Sequence, residues 1–191
     1  STLYLAVVGR GGTADLTTQQ QLKLHDAVSY VDMGGLSKVP SDTLLTVMTQ
    51  QQLSMTVGED AYWHQLLASS PEKHATALLN LVYEKMCFPG VNHEDFAETI
   101  VSEQENLGKE TLLDRLLAHD SDRLMTNTID SLVGNGTANS ERLLTKATLK
   151  ALKIDSLTHY YKQLFGNPTG LTVILTGNFN VGHVVPKAVA T

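Results

Sequence analysis

The chain has 191 residues and a formal net charge of −6, with 42% hydrophobic and 18% charged residues. This is the composition of a globular protein, long enough to bury a core without a disulfide or a metal. The acidic balance argues against nucleic acid or an anionic membrane as a partner, because both favour clustered Lys and Arg. The single cysteine excludes an internal disulfide and a thiolate zinc site, which need several cysteines.

The N-terminal residues predict a strand followed by a helix. An apolar run at 3–8 leads into the glycine-rich segment 9–12, which is typical of a buried strand entering a tight turn. A helix is expected over 17–34, since Thr17 and Gln20 have the spacing of a capping box and glycines follow the apolar stripe. That stripe should pack against a sheet or another helix.

The next part of the chain predicts two helices and two extended segments. Ser41 is positioned to cap a short helix, and the alternation at 53–57 predicts a half-buried strand. A second extended segment is expected around 61–63. The following helix should begin with Ser70 as its cap and Pro71 at its first position, where proline is favoured.

The second half of the chain has a mainly helical pattern. Asn92 is expected to cap a helix with many acidic residues, which Gly108 interrupts. Further helical pieces follow as far as a loop at 133–137. Two short helices, capped by Ser140 and Asp155, then precede the last strand.

The order of these elements predicts the fold class. The last strand is expected over 171–176, so strands lie at both ends and near the middle of the chain, with a long helical block between them. This order lacks the regular strand–helix alternation of a doubly wound sheet. We therefore expect an α+β fold, a two-layer sandwich of a mainly antiparallel sheet with helices packed on one face and the terminal strands as neighbours.

The motifs for metal, phosphate and acid–base chemistry are incomplete. The segment 9–12 lacks the spaced glycines of a dinucleotide turn and the Gly-Lys-Ser/Thr ending of a P-loop, so it is interpreted as a tight turn. Glu103 and Glu105 belong to an acidic helix face, which a solvated surface explains better than paired catalytic carboxylates. No two of the 7 histidines are four residues apart, as a helical metal pair requires.

Near the C-terminus, two adjacent segments resemble a block of the insulinase/pitrilysin zinc peptidases. They are 157–168, LTHYYKQLFGNP, and 171–180, LTVILTGNFN. The opening strand with its glycine-rich turn, the helix that ends at Gly34 and Gly35, and the helix that ends at 88–89 follow in the order of that family. The resemblance covers nearly the whole chain and implies that residues 1–191 are one inactive domain of this type, taken from a longer multi-domain chain.

The resemblance implies a domain that has lost its zinc motif. Active domains of the family carry His-x-x-Glu-His on their first helix, in which two histidines bind zinc and the glutamate activates water. Placing the family's helix-ending glycine on Gly34 puts this pentad on residues 25–29, where only His25 matches. Val28 replaces the base and Ser29 replaces the second imidazole, so we expect no metal ligand set and no catalytic residue in this segment.

The active domains take their last zinc ligand from a glutamate on a later helix. Glu103 or Glu105 lies near that place in this sequence, but one or two such groups do not hold zinc tetrahedrally. The resemblance therefore implies that zinc is bound in a catalytic domain elsewhere in the parent chain, and that the parent is a zinc metalloprotease.

The resemblance implies a non-catalytic domain that forms part of the substrate chamber of a metalloendopeptidase and contributes to peptide binding. Its expected partners are a peptide substrate and either sister domains of the same chain or a homologous subunit. We expect no nucleic-acid partner and no transmembrane segment, because no stretch approaches the roughly 20 apolar residues of a spanning helix. Bacterial relatives are often exported, which favours the periplasm or cell envelope.

Two other functions stay open. The alternative is a free-standing scaffold or assembly subunit of the same fold with no peptidase activity. An enzyme built on the acidic helix with Glu103 and Glu105 ranks last. A His-x-x-Glu-His motif elsewhere in the parent gene would distinguish the peptidase domain from the free-standing scaffold.

Overall fold

The structure, a computed structural model, describes residues 2–116 and 144–190. The strands of these ranges are β1 (Thr2–Arg10), β2 (Ser54–Glu59), β3 (Trp63–Pro71) and β4 (Leu171–Gly177). They form one antiparallel sheet in the order β2-β3-β1-β4. The first and last strands are neighbours, which confirms the prediction from sequence.

Alternation of side chains along the strands gives the sheet one buried and one open face. Leu5 and Val7 of β1 are almost completely buried, and Leu5 lies between Ala68 of β3 and Leu175 of β4. The opposite face exposes large apolar side chains, including Tyr4. The core therefore lies on one side of the sheet, where the helices pack.

The helices of the described ranges are α1 (Thr18–Lys23), α2 (Ala27–Asp32), α3 (Ser41–Gln51), α4 (Ala75–Cys87), α5 (His93–Leu116), α6 (Lys146–Lys150), α7 (Ile154–Phe165) and α8 (Val181–Ala190). Val31, Leu78 and Tyr161 place α2, α4 and α7 in the same buried cluster as β1. The predicted two-layer α+β sandwich is confirmed. Among the helices of residues 2–116 and 144–190, none is both long and apolar enough to cross a bilayer.

The prediction of one continuous helix over 17–34 is wrong. The capping box of Thr17 and Gln20 is present, but the chain leaves the helix after Lys23 and starts a second one at Ala27. The turn between them contains Asp26 in a left-handed conformation. Regular apolar spacing on both sides of the turn conceals it in the sequence.

Ser70 does not cap a helix, contrary to the prediction. It lies in β3 opposite Leu3 of β1, and α4 begins only at Ala75, after a single 3-10 turn. The second extended segment is predicted around 61–63. It is a strand of 9 residues that starts at Trp63 and includes Ser70. Pairing with β1 extends the strand through a Ser-Pro sequence that would otherwise favour a helix start.

Two further boundaries differ from the predictions. Helix α5 continues through Gly108, since one glycine inside a helix costs only about 1 kcal/mol. Helix α7 begins at Ile154, so Asp155 lies in its first turn and is not the cap. The predicted loop at 133–137 and the Ser140 cap lie outside the described residues. Helix α8, after the last strand, is not anticipated by the sequence analysis.

A buried ion pair joins α4 to the end of α2. Lys85 is 1% exposed, and its Nζ lies 2.8 Å from Asp32 Oδ1. The same ammonium donates to the backbone carbonyls of Asp32 at 2.8 Å and Gly35 at 3.2 Å. Its three N–H donors therefore have three acceptors. On α7, Tyr161 Oη donates to the Lys85 carbonyl at 3.2 Å, which connects the third helix of the layer.

Two glycines allow the chain after α2 to approach the chain after α4. A Cβ on Gly34 would collide with the carbonyl oxygen of Gly90, and a Cβ on Gly90 would collide with that of Gly34. Gly35 has a φ of +75°, which strongly favours glycine. The predicted glycine stop of the helix is confirmed.

Removing the buried ammonium should destabilise the fold. We expect Lys85→Met to lower the free energy of unfolding by about 3 kcal/mol, because it leaves the Asp32 carboxylate and two backbone carbonyls without their donor. Lys73→Met, at an exposed position, is the control and should change it by less than about 0.5 kcal/mol. Urea denaturation measures both values, and equal effects would show that the ion pair contributes nothing to stability.

Candidate functional site

A cleft beside the β2–β3 turn contains the positions of the expected zinc motif. It has a volume of about 380 Å³ and lies between that turn, the segment after β1, and helices α1 and α2. Its lining includes His25, Val28 and Ser29 from the helical side and Glu59 and Asp60 from the sheet side. A pocket of this size suits one side chain or a small ligand.

The glycine-rich segment 9–12 leads into one cleft wall, which begins at Thr13. Gly11 has a φ of +100°, and its N–H donates to Tyr62 O at 2.9 Å. Thr13 N–H then donates to Asp60 O at 3.0 Å. The predicted tight turn is thus confirmed, and its role is to hold the chain after β1 against the β2–β3 turn.

The expected pentad does not lie on one helix. Ala27 N–H donates to Leu24 O at 3.1 Å, and Asp26 has φ 48° and ψ 30°. Aspartate is among the few residues other than glycine that adopt this conformation. His25 consequently precedes the break and Ser29 follows it, so their spacing of four residues does not place them on a common helix face.

The three positions of the degenerate motif have different environments. Val28 is 3% exposed and belongs to the apolar core. Ser29 is exposed, and its Oγ donates to Asp26 Oδ1 at 2.7 Å. His25 is half-buried, with its ring centroid 6.5 Å from that of Tyr30 in an edge-on arrangement.

The acidic helix α5 contacts α2 through a hydrogen bond with a tyrosine of α2. Tyr30 Oη donates a hydrogen bond to Glu103 Oε2. Burial raises the pKa of Tyr30, and the bond to Glu103 raises it further, so the phenol keeps its proton. Glu105 is exposed on the same helix. The structure thus brings Glu103 near the degenerate motif and leaves Glu105 in solvent.

These residues do not fit a zinc ion. Val28 has no donor atom, and a neutral serine hydroxyl is a poor replacement for imidazole. In residues 2–116 and 144–190, no group of three or more His, Cys, Asp or Glu side chains is arranged to hold a metal. The expectation that this segment binds no zinc stays a prediction, supported by the chemistry of its side chains.

Glu59 is a half-buried carboxylate of the cleft that sequence analysis misses. Burial raises its pKa, the nearby charges of Asp26 and Asp60 raise it further, and a hydrogen bond from Tyr160 opposes the rise. Burial and that same bond raise the pKa of Tyr160. Three acidic side chains from two distant parts of the sequence therefore meet at this cleft.

Gln21 is a second residue that the sequence does not reveal. Its side chain lies in the cleft wall and is 6% exposed. Nε2 donates to Thr13 O at 2.7 Å and to Leu16 O at 3.3 Å, while Oε1 has no hydrogen-bond partner. A buried carbonyl without a donor is costly, so Gln21 contributes an unsatisfied acceptor to the cleft wall.

Strand β2 is the edge of the sheet next to this cleft. Asp60 N–H donates to Trp63 O at 2.8 Å, and hydrogen-bonded pairs alternate along an antiparallel ladder from that point. Val57 opposite Leu66 and Glu59 opposite His64 are therefore the non-bonded pairs. Their backbone N–H and C=O groups point away from β3, towards the open edge.

The comparisons with solved structures identify the fold. The periplasmic protease PqqL from Escherichia coli is similar with a TM-score of 0.78 at 15% identity, over 97% of this chain and 20% of that chain. The inactive M16 peptidase domain from Pseudomonas fluorescens gives 0.68 at 9% identity, over 99% and 44%. Pitrilysin gives 0.63 at 10% identity, over 100% and 20%.

The chain has the fold of an M16 peptidase domain. This confirms the resemblance to the insulinase/pitrilysin family at the level of architecture. This chain spans about a fifth of the length of PqqL and of pitrilysin. No family model matches the sequence, and no similar curated protein was found.

Restoring the motif residues should not restore a metal site. We expect Val28→Glu to lower the free energy of unfolding by about 2 kcal/mol, because it buries a carboxylate in the apolar core. Val101→Glu, at an exposed position, is the control for the same substitution. The double variant Val28→Glu with Ser29→His should retain no zinc after dialysis, as measured by elemental analysis. One bound zinc per chain would contradict the broken-helix geometry.

Neutralising Glu59 should stabilise the chain at high pH. Because the pKa of Glu59 is raised in the folded state, folding stability falls as pH rises through that range, and glutamine avoids this loss. We expect Glu59→Gln to raise the melting temperature at about pH 8 and to have a smaller effect below the ordinary Glu pKa of about 4.3. Thermal unfolding followed by circular dichroism gives the shift. Exposed Glu105→Gln is the control, and an effect of Glu59→Gln independent of pH would exclude this cause.

Proposed function

We propose that this chain is a non-catalytic domain of a zinc metalloendopeptidase that binds substrate peptide and packs against sister domains. The observation that carries the proposal is the open edge of β2 beside a cleft in which the M16 zinc motif is degenerate. The proteases PqqL and pitrilysin are longer chains with this fold in about a fifth of their length. Zinc and hydrolysis belong, in this proposal, to another domain of the parent protein.

An extended peptide can bind to β2 as an additional strand. The outward backbone groups of Val57 and Glu59 supply donors and acceptors that need no particular peptide sequence. Among the described residues, β3 is the one strand paired with β2. This mode of binding suits a substrate chamber, which must hold unfolded segments of many sequences.

The C-terminal helix supports packing against a sister domain. Val181, Val185 and Val189 recur every four residues on α8 and are 63%, 37% and 82% exposed. Between α8, α4 and the sheet there is an apolar cleft of about 360 Å³, lined in part by Val82 and Met86. A neighbouring domain that covers these side chains would remove apolar surface from water.

A proline in the open edge of β2 tests peptide binding. Val57→Pro removes an outward N–H but no hydrogen bond to β3, so the sheet should persist. We expect it to weaken binding of a fluorescein-labelled unstructured peptide by about tenfold or more, as measured by fluorescence anisotropy. Val57→Ala keeps the N–H and is the matched control.

The same preparation tests the absence of catalysis. The wild-type chain should retain no stoichiometric zinc and should leave the bound peptide intact over the time of the assay. Peptide cleavage together with retained metal would overturn the proposal. Equal affinity of the Val57→Pro and Val57→Ala variants would show that the peptide does not bind at this edge.

A further inference from the structure

We propose that the cleft beside β2 is a subsite for a basic side chain, Lys or Arg, of a peptide bound to the β2 edge. This inference rests on the proposed function and adds to it the chemical class of the guest. It depends on the charge of the cleft, on an unpartnered acceptor in its wall, and on the direction of side chains along β2.

The charge of the cleft is negative. Glu59, Asp26 and Asp60 contribute carboxylates, and the lining contains no Lys or Arg. In the described part of the chain, none of these carboxylates has an ion-pair partner. Each accepts hydrogen bonds from neutral donors, which are Tyr160 for Glu59, Ser29 for Asp26 and the Tyr62 and Trp63 amides for Asp60. Their charges are therefore not neutralised within the fold.

A second and independent observation is the state of Gln21. Its amide group is held in the cleft wall by two backbone carbonyls, and its Oε1 is a buried acceptor without a donor. A guest that donates several hydrogen bonds would satisfy this acceptor and the carboxylates together. An ammonium has three N–H donors and a guanidinium has five, and both carry the complementary charge.

The geometry of strand addition brings a side chain to this place. On β2, Val57 and Glu59 direct their side chains to the inner layer, and Glu59 lines the cleft. In a strand paired with β2, alternate side chains point to the same layer. A peptide residue paired near Glu59 can thus extend into the cleft while its backbone stays on the β2 edge.

Other guests fit this lining less well. An aliphatic side chain would supply no donor to Gln21 Oε1 and would remove the Glu59 carboxylate further from water. An acidic side chain would meet like charges from Glu59, Asp26 and Asp60. A divalent cation would need a group of three protein ligands, which the described residues do not provide.

A peptide series tests the inference on the wild-type chain of 191 residues. The fluorescein-labelled peptides are unstructured and identical except at one central residue, which is Lys, norleucine, Arg, citrulline or Glu. Norleucine and citrulline match the shapes of Lys and Arg without the charge. We expect the Lys and Arg peptides to bind about tenfold or more tightly than their neutral counterparts by fluorescence anisotropy, and the Glu peptide to bind most weakly.

A double variant tests where this preference comes from. Asp26→Asn with Asp60→Asn keeps the side-chain oxygens that stabilise both turns and removes two charges, so it should reduce the Lys-to-norleucine affinity ratio to within about threefold. Asp42→Asn, on the exposed surface of α3 and outside the cleft, is the matched control and should keep the wild-type ratio. A ratio unchanged in the double variant would overturn the assignment to this cleft.

The outcomes separate the inference from the proposed function. Equal affinities across the peptide series, with binding still weakened by Val57→Pro, would overturn the basic subsite and leave peptide binding at β2 intact. No measurable binding of any peptide would overturn both. The comparison within the series uses the wild-type chain, so it does not depend on whether a variant folds.

Discussion

The buried ammonium of Lys85 is the interaction on which the arrangement of the helical layer depends. It donates to the carboxylate and carbonyl of Asp32 and to the carbonyl of Gly35, and so fixes the end of α2 to α4. Tyr161 adds α7 through the Lys85 carbonyl. Since α2 also forms one wall of the cleft, this buried charge helps to hold that wall against the rest of the helical layer.

The cleft combines the fold of an M16 peptidase domain with side chains that do not suit a metal. The architecture of the M16 peptidase domains is present, and the cleft lies where the zinc motif is expected. Its side chains, however, suit hydrogen bonding and charge attraction better than metal coordination. Asp26 affects the cleft in two ways. Its left-handed backbone interrupts the helix, and its carboxylate lines the cleft. Function therefore follows from the side chains of this site and not from the fold alone.

Much of the architecture could be predicted from local patterns, whereas the site could not. The apolar run of β1 and the alternation of β2 are local signals, and both led to correct elements. Pro186 inside α8 conceals a helix, because proline normally argues against one. The motif positions His25, Val28 and Ser29 were identified through the resemblance. By contrast, the meeting of Asp26 with Glu59 joins distant segments, and no local pattern records such a contact.

The close approach of Gly34 and Gly90 constrains the sequence at two positions that carry no reactive side chain. Each glycine leaves space for the other's backbone, and this steric requirement is independent of whether the preceding residues bind a metal. The packing of the two chain segments therefore restricts both positions to glycine, whatever side chains line the cleft.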